Sequence, residues 1–210
     1  MAILLRVAGR WACFTRPDLK AESVTYDTMT PTAAKAILGC IYCKPEMEWV
    51  IEGIHVLKPI KTISLMRNGI KNKISQRNVI NGSQGPFEVN AMRDQRNATI
   101  LTNVDYVIRA HFEIVSGKDN PGKHLSIFLR RASRGQCFRH PYFGCREFSV
   151  DRFSPIREDE IPRSALQGKI GLGYMLHSID YDTYAPAFFN AELIDGFMEV
   201  PPTNDTKVKR

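Results

Sequence analysis

The order in which strand-like and helical segments follow each other is the strongest constraint on the fold. Two helical segments each begin with a polar residue followed by proline, at Thr30-Pro31 and at Asn120-Pro121, which is typical of a helix start. Segments rich in apolar residues of strand-like pattern precede, separate and follow the helices; they cover residues 3–14, 49–56, 98–115 and 145–153. The resulting order, β-α-β-β-α-β, predicts an α+β protein built on a ferredoxin-like (RRM-like) unit.

The second helical segment has the spacing of an amphipathic helix. Leu125, Phe128, Leu129 and Ala132 fall at positions i, i+3, i+4 and i+7 and share one face. We expect that face to be buried and Gly135 to end the helix.

An additional basic segment separates the second and third strands of this unit. Asn68-Gly69 is a favoured pair for a two-residue hairpin turn, so we predict an inserted basic β-hairpin there. Residues 79–97 are polar and contain glycine and proline, which favours a loop.

The chain after this unit again has strand patterns. Residues 170–179 and 188–200 predict a small antiparallel β-sheet, and the polar, basic tail from Pro201 is expected to fray. We therefore expect a ferredoxin-like domain at 1–153 and a small β-rich domain with a polar tail at 154–210.

The charge of the chain is unevenly distributed. Its 29 Lys and Arg against 22 Asp and Glu give a net charge of +7. Residues 58–87 contain no acid, residues 118–146 contain seven bases against one acid, and residues 147–199 carry a net charge of −6. A solvated surface would explain a short run of charge, whereas two concentrated basic segments favour a polyanion as partner.

The composition excludes several classes of protein. Apolar residues make up 43% of the chain and charged residues 24%, the balance of a globular domain. No apolar run approaches the roughly 20 residues that cross a bilayer, and the apolar start is too short for the core of a signal peptide. We therefore expect a cytoplasmic protein without membrane partners.

Lys123-His124 is the dipeptide best suited to catalysis. It falls in the first turn of the second helix, where outward-pointing N–H groups and the helix dipole favour an anion. A lysine there can stabilise charge that develops on a phosphate, and a histidine can transfer protons near neutral pH. The alternative is a surface lysine beside a polar residue of the cap region.

Tyr42 lies at the end of the first helix. The two helices of a ferredoxin-like unit lie side by side and roughly antiparallel, so Tyr42 is expected to meet Lys123 and His124 at one edge. Alternatively, Tyr42 is a packed tyrosine beside Trp49.

The five cysteines offer only a weak metal signal. Cys40-x-x-Cys43 with Cys137 and Cys145 has one pair within a helix and one with wide spacing, and buried cysteine is common without metal. The glycine cluster at 168–173 matches neither a Walker loop nor the GxGxxG fingerprint. We expect thiols, no metal site and no cofactor.

Several dense motifs together resemble a known family. They are Gly9-Arg-Trp-Ala-Cys-Phe-Thr-Arg-Pro17, Tyr26…Met29-Thr-Pro31, Asn120-Pro-Gly-Lys-His124, Arg134-Gly-Gln-Cys-Phe138 and Pro141-Tyr-Phe-Gly-Cys-Arg-Glu-Phe148. The chain resembles, over nearly its whole length, the CRISPR-associated Cas-five protein of subtype I-C (the Dvulg type), a member of the RAMP superfamily.

The resemblance implies a metal-independent endoribonuclease that processes precursor CRISPR RNA. Such an enzyme binds the repeat hairpin and cleaves on its 3′ side by attack of the RNA's own 2′-hydroxyl. It stays on the 5′ handle of the guide, beside the backbone and large subunits of the interference complex. The family's catalytic tyrosine, lysine and histidine match Tyr42, Lys123 and His124.

The same resemblance implies contacts with the RNA backbone through basic residues. The basic hairpin, the second helix and the first strand supply the candidates, which are Arg10, Arg16, Arg67, Lys71, Lys73, Arg77, Arg130, Arg131 and Arg134. Such contacts determine affinity and its salt dependence, whereas stem shape and unpaired bases determine specificity.

One departure and two alternatives stay open at this point. His177-Ser178 stands where relatives often have an aromatic residue and an acid, which concerns RNA contacts of the C-terminal part. The chain could be a non-catalytic subunit that caps the guide RNA, although it retains the Tyr42, Lys123 and His124 set. A zinc-dependent nuclease would require bound metal.

Overall fold

Both helices begin at the prolines that the sequence predicts. The computed structural model describes residues 2–19, 22–71, 75–82, 89–115 and 120–209. Helix α1 spans Pro31–Ile41, and the Thr30 side chain accepts a hydrogen bond from the N–H of Ala33. A short helix, α2, spans Gln76–Ile80. Helix α3 spans Pro121–Ser133 and is followed, as predicted, by Gly135 with a φ of +64°.

Strands make up most of the remaining regular structure. Within the described ranges the chain forms ten strands that belong to one mostly antiparallel sheet. They are β1 Ile3–Ala12, β2 Ser23–Val24, β3 Met47–Val56, β4 Thr62–Ile70, β5 Arg93–Ile114, β6 Arg152–Pro155, β7 Lys169–Ile179, β8 Pro186–Ile194, β9 Phe197–Glu199 and β10 Val208–Lys209. The predicted α+β class is confirmed. No helix in these ranges is both long and apolar enough to cross a membrane.

The centre of the sheet has the order β6-β1-β5-β3. Each neighbouring pair is antiparallel, with Ile3 opposite Ala110 where β1 pairs with β5. Both long helices contact the sheet and each other. The core lies between these helices and the sheet, and it includes the fully buried Ile37 of α1, Phe128 of α3 and Ile108 of β5.

The inserted hairpin is longer than predicted. Strand β4 pairs with the first half of β5 from Thr62↔Leu101 to Ile70↔Arg93. The predicted turn at Asn68-Gly69 is wrong, because both residues lie within β4 opposite the β5 strand. The predicted loop at 79–97 is wrong at its ends, since α2 reaches Ile80 and β5 starts at Arg93. Backbone pairing along a 22-residue strand outweighs the local turn preference.

The predicted strand at 145–153 is wrong over most of its length. The N–H of Phe143 donates to the carbonyl of Phe148 at 2.7 Å, so the chain folds back on itself there. Gly144 has a φ of +80°, and a Cβ built on it would lie 2.0 Å from the carbonyl oxygen of Cys13. The apolar pattern reflects a buried loop against β1, since Phe143 and Phe148 are both buried.

The C-terminal strands extend the same sheet. Strands β7 and β8 form an antiparallel pair, and β9 pairs with both β8 and β3. The expected fraying of the tail is wrong, because β10 pairs antiparallel with β8. The short β10 strand therefore ties the end of the described chain to the sheet.

Candidate active site

The end of helix α1 holds Tyr42 in a fixed position. The Tyr42 backbone adopts an extended conformation, with φ −154° and ψ 123°, and leaves the helix there. The last carbonyls of a helix lack partners within it. Here Arg131 Nη1 donates to the carbonyl of Ile41 at 3.1 Å, and Trp49 Nε1 donates to that of Tyr42 at 2.9 Å. The Arg131 guanidinium also lies 5.2 Å from the centre of the Tyr42 ring.

The start of helix α3 brings His124 against this tyrosine. The Tyr42 hydroxyl and His124 Nδ1 are 2.9 Å apart and hydrogen bonded. Both side chains are 2% exposed, and the Phe112 ring lies 6.1 Å from that of His124. The expected meeting of the two helix ends is thus present. The alternative prediction, that Tyr42 packs beside Trp49, is met as well, because Trp49 Nε1 donates to the Tyr42 carbonyl.

A cationic cleft lies above the tyrosine–histidine pair. Its volume is about 330 Å³, within the range of small-ligand sites. Lys123 is exposed at this cleft, whereas Tyr42 and His124 are buried. The lining residues are Tyr42, Lys44, Glu46, Lys123, His124, Ile127, Arg130 and Arg131. Four full cations against one carboxylate favour an anionic group in this cleft.

The backbone of α3 offers less to an anion than expected. The N–H of Gly122 donates to the Asn120 side chain at 2.9 Å, and the N–H of Lys123 donates to the Asn120 carbonyl at 3.1 Å. Both bonds go to Asn120, the N-cap residue of the helix. The expectation of outward-pointing N–H groups is wrong for these two residues, so the attraction comes from the helix dipole and the Lys123 ammonium.

The tyrosine–histidine hydrogen bond permits proton movement between two side chains. A phenol can donate to a neutral imidazole nitrogen, or accept from it when that nitrogen carries the proton. A buried bond of this kind fixes the position of both rings.

Three of the predicted RNA contacts lie along helix α3. Arg130 and Arg131 line the cleft, and Arg134 is exposed at the C-terminal end of the helix. These three arginines continue the positive surface from the start of α3 to its end.

Among the described residues, the other predicted contacts are spread over β1, the segment after it, β4 with the residue that follows, and α2. Arg67 of β4 forms an ion pair with Glu147, and Arg16 forms one with Asp18. Arg10, Lys71 and Arg77 are exposed and lie outside the cleft lining. Lys73 lies outside the described residues.

The sequence prediction missed part of the surface beside the site. Lys44 lines the cleft, and the backbone N–H groups of Phe138 and Arg139 donate to the carbonyl of Cys40 at 2.9 and 3.1 Å. For Arg139 a signal was present, because residues 120–146 contain six bases and no acid, whereas Lys44 lies outside that run.

All five cysteines are free thiols, and two of them, Cys13 and Cys145, lie in contact. Hydrogen bonding from Cys13 lowers the pKa of Cys145, and the same contact with burial raises the pKa of Cys13. In the described part of the chain, no three His, Cys, Asp or Glu side chains are placed to hold a metal ion. The zinc alternative therefore has no ligand cluster among these residues.

Comparison with known proteins identifies the family. Residues 2–201 match the model of a family described as CRISPR-associated protein (Cas_Cas5). The chain belongs to this family. The predicted resemblance to the Dvulg-type Cas-five proteins is thereby confirmed at the level of the Cas5d type, with which subtype I-C is consistent.

Two relatives share one name. A "CRISPR pre-crRNA endoribonuclease Cas5d" of Mannheimia succiniciproducens is 43% identical over 99% of this chain and 98% of its own length. One of Thermus thermophilus is 33% identical over 94% of this chain and 90% of its own length. A crystal structure of a CRISPR-associated protein aligns with a TM-score of 0.73 at 22% identity, over 100% of this chain and 97% of the other. That last likeness supports the fold.

Proposed function

We propose that this Cas5-family chain is a metal-independent endoribonuclease that cleaves precursor CRISPR RNA at the repeat hairpin. The observation that carries the proposal is the buried hydrogen bond of 2.9 Å between the Tyr42 hydroxyl and His124 Nδ1, at the base of a cleft lined by Lys123. The two relatives are named as pre-crRNA endoribonucleases, which supports the substrate class.

The proposed reaction is attack of the ribose 2′-oxygen on the adjacent phosphorus. The new O2′–P bond forms while the P–O5′ bond breaks, which gives a 2′,3′-cyclic phosphate and a 5′-hydroxyl end. Tyr42 takes the proton of the 2′-hydroxyl as its own proton passes to His124 Nδ1, and the 5′-oxygen gains a proton from solvent.

The division of labour follows from the chemistry of the three side chains. A phenol alone is a weak base at neutral pH, whereas imidazole accepts protons in that range. The tyrosine therefore acts as base through the histidine. The Lys123 ammonium stabilises the negative charge on the pentavalent phosphorus in a partly enclosed, cationic site.

The proposal includes a place for the chain in a larger assembly. After cleavage the protein stays on the 5′ handle of the guide RNA, as a subunit of the type I-C interference complex in the cytoplasm, beside its backbone and large subunits. The arginines of α3 and the basic hairpin follow the RNA backbone.

The fold of the proposed enzyme is a ferredoxin-like domain at 1–153 with a small β-rich domain at 154–210. The sheet order β6-β1-β5-β3 with antiparallel neighbours supports the ferredoxin-like part of this assignment. It is the fourth-first-third-second strand order expected when a β-α-β-β-α-β chain interleaves its two halves.

A second function is favoured by one observation. Tyr42 and His124 are each only 2% exposed, so the ribose reaches them only if the cleft opens slightly. A purely structural pair at this place would make the chain a non-catalytic subunit that caps the guide RNA.

Cleavage of a labelled repeat hairpin in excess EDTA distinguishes the two functions. The substrate has either a ribose or a 2′-deoxyribose at the scissile position. We expect cleavage of the ribose substrate alone. Tight binding without cleavage of either substrate would establish the capping function, and cleavage only after metal is restored would contradict metal independence.

A further inference from the structure

Phe138 is the most exposed large apolar side chain in the described part of the protein. Its side chain is 83% exposed, although phenylalanine is among the residues most often buried. The proposed reaction assigns it no role. An aromatic ring held in water beside a functional site needs a reason other than stability.

The backbone around Phe138 is fixed to the helices of the active site. The N–H groups of Phe138 and Arg139 both donate to the carbonyl of Cys40, at 2.9 and 3.1 Å, and the N–H of Gln136 donates to that of Arg131 at 2.9 Å. Cys40 precedes Tyr42 by two residues, so the anchoring point lies within about 7 Å of the Tyr42 Cα. The backbone that carries the ring is thus constrained, and it is anchored two residues before the tyrosine.

The surroundings of Phe138 are cationic. Arg134 and Arg139 flank it and are exposed, and no acid occurs between residues 120 and 146. An exposed ring between cations is the arrangement that binds single-stranded nucleic acid, because bases stack on the ring while cations hold the phosphates.

Tyr181 provides the contrast within the same chain. It is 78% exposed on the turn between β7 and β8, but Asp180 and Asp182 flank it. The two carboxylates beside this exposed ring repel phosphate, so exposure alone does not make a base-binding position.

We propose that Phe138 is a stacking platform for an unpaired nucleobase of the RNA beside the cleft. The inference rests on the proposed RNA substrate and extends it. It places a single-stranded nucleotide next to the hairpin stem against the Phe138 ring, with Arg134 and Arg139 on its phosphates. The platform would fix the strand that enters the cleft.

The test uses the CRISPR repeat RNA of the source genome with 2-aminopurine at each unpaired position in turn. A 2′-deoxyribose at the scissile nucleotide prevents cleavage during the measurement. Fluorescence and Kd are measured for the wild type, Phe138→Leu, Phe138→Trp and Tyr181→Leu. Leucine keeps the apolar volume but has no π face, and tryptophan restores one.

We expect quenching at one or two positions in the wild type, and loss of that quenching in Phe138→Leu with a Kd about tenfold higher. Phe138→Trp should restore both readings, and Tyr181→Leu should match the wild type. The slope of log Kd against log salt should stay unchanged in Phe138→Leu, since no charge is removed.

Equal quenching and equal Kd in the wild type and Phe138→Leu would overturn the stacking inference alone. Phe138 would then belong to a surface that contacts another protein. A wild type that does not bind the repeat RNA would overturn the proposed function and this inference together.

Discussion

At the scale of single residues, the three candidate catalytic side chains differ in exposure. Tyr42 and His124 are buried and hydrogen bonded to each other, whereas Lys123 is exposed at the cleft. This division suits chemistry in which the buried pair handles the proton and the exposed ammonium meets the phosphate.

Replacement of Lys123 by alanine should reduce the single-turnover cleavage rate about 100- to 1000-fold, the usual cost of losing one stabilising group for a transition-state anion. The Kd for the uncleaved hairpin should change much less, because the residue acts mainly on the charge that develops during the reaction. Rate and Kd are measured on the same RNA.

Lys35→Ala is the matched control for this change. Lys35 is an exposed lysine of α1 that pairs with Glu48 at 2.6 Å, and the variant should cleave at the wild-type rate. If Kd rises in proportion to the loss of cleavage in Lys123→Ala, Lys123 only positions RNA and its catalytic role is wrong.

At the scale of elements, the loop between α3 and β6 connects the site to the basic hairpin. It is tied to α1 through the Cys40 carbonyl and to β4 through the ion pair of Glu147 with Arg67. Gly144 lets this loop pass close to β1. The geometry of the loop therefore depends on a residue without a side chain.

Gly144→Ala should lower the free energy of unfolding by more than about 2 kcal/mol. A left-handed φ alone costs a non-glycine residue about 1–2 kcal/mol, and here the added Cβ would also lie 2.0 Å from the Cys13 carbonyl oxygen. Chemical denaturation of the purified variants measures the effect.

Gly135→Ala separates these two contributions. Gly135 also has a left-handed φ of +64°, but no atom lies within 4 Å of its added Cβ. We expect the backbone cost alone in this variant. Equal destabilisation of the two variants would contradict the close approach of the loop to β1.

Local sequence signals predicted the elements whose causes are local. Thr30 and Asn120 cap the two helices where expected, because a cap depends on its own next few residues. Asn68-Gly69 failed as a turn because the choice between turn and strand depends on pairing with β5. The buried pattern at 145–153 failed for a similar reason, since loop residues Phe143 and Phe148 are buried by tertiary contacts.

The site itself was predictable in part. The order of elements was enough to bring Tyr42 and His124 to one edge. Their near-complete burial and the anchoring of Phe138 at Cys40 depend on contacts between distant segments, which a single sequence does not encode in its spacing.

At the scale of the whole molecule, the charge is divided between two parts. Helix α3 and the following loop carry six bases and no acid over residues 120–146, whereas residues 147–199 carry ten acids against four bases. This separation predicts that the RNA binds across α3 and the hairpin and avoids the C-terminal strands.

Single charge removals test this distribution through the salt dependence of binding. Arg130→Gln in the cleft and Lys71→Gln on the hairpin should each raise Kd and reduce the slope of log Kd against log salt by about one. Arg157→Gln should leave both unchanged, because Arg157 lies in the acidic part beside Asp159 and Glu160. An unchanged slope for Lys71→Gln would remove the hairpin from the interface.

The most direct test of the account is the cleavage rate of Tyr42→Phe, which removes one hydroxyl and keeps the ring. If Tyr42 and His124 act together as the base, the single-turnover rate should fall about 100-fold or more. The double variant, Tyr42→Phe with His124→Asn, should then cleave at nearly the same rate as each single variant. The Kd for the hairpin should stay within about twofold of the wild type in all three. Wild-type cleavage by Tyr42→Phe, or a Kd that rises in parallel with the loss of rate, would show that the pair is structural and that the proposed mechanism is wrong.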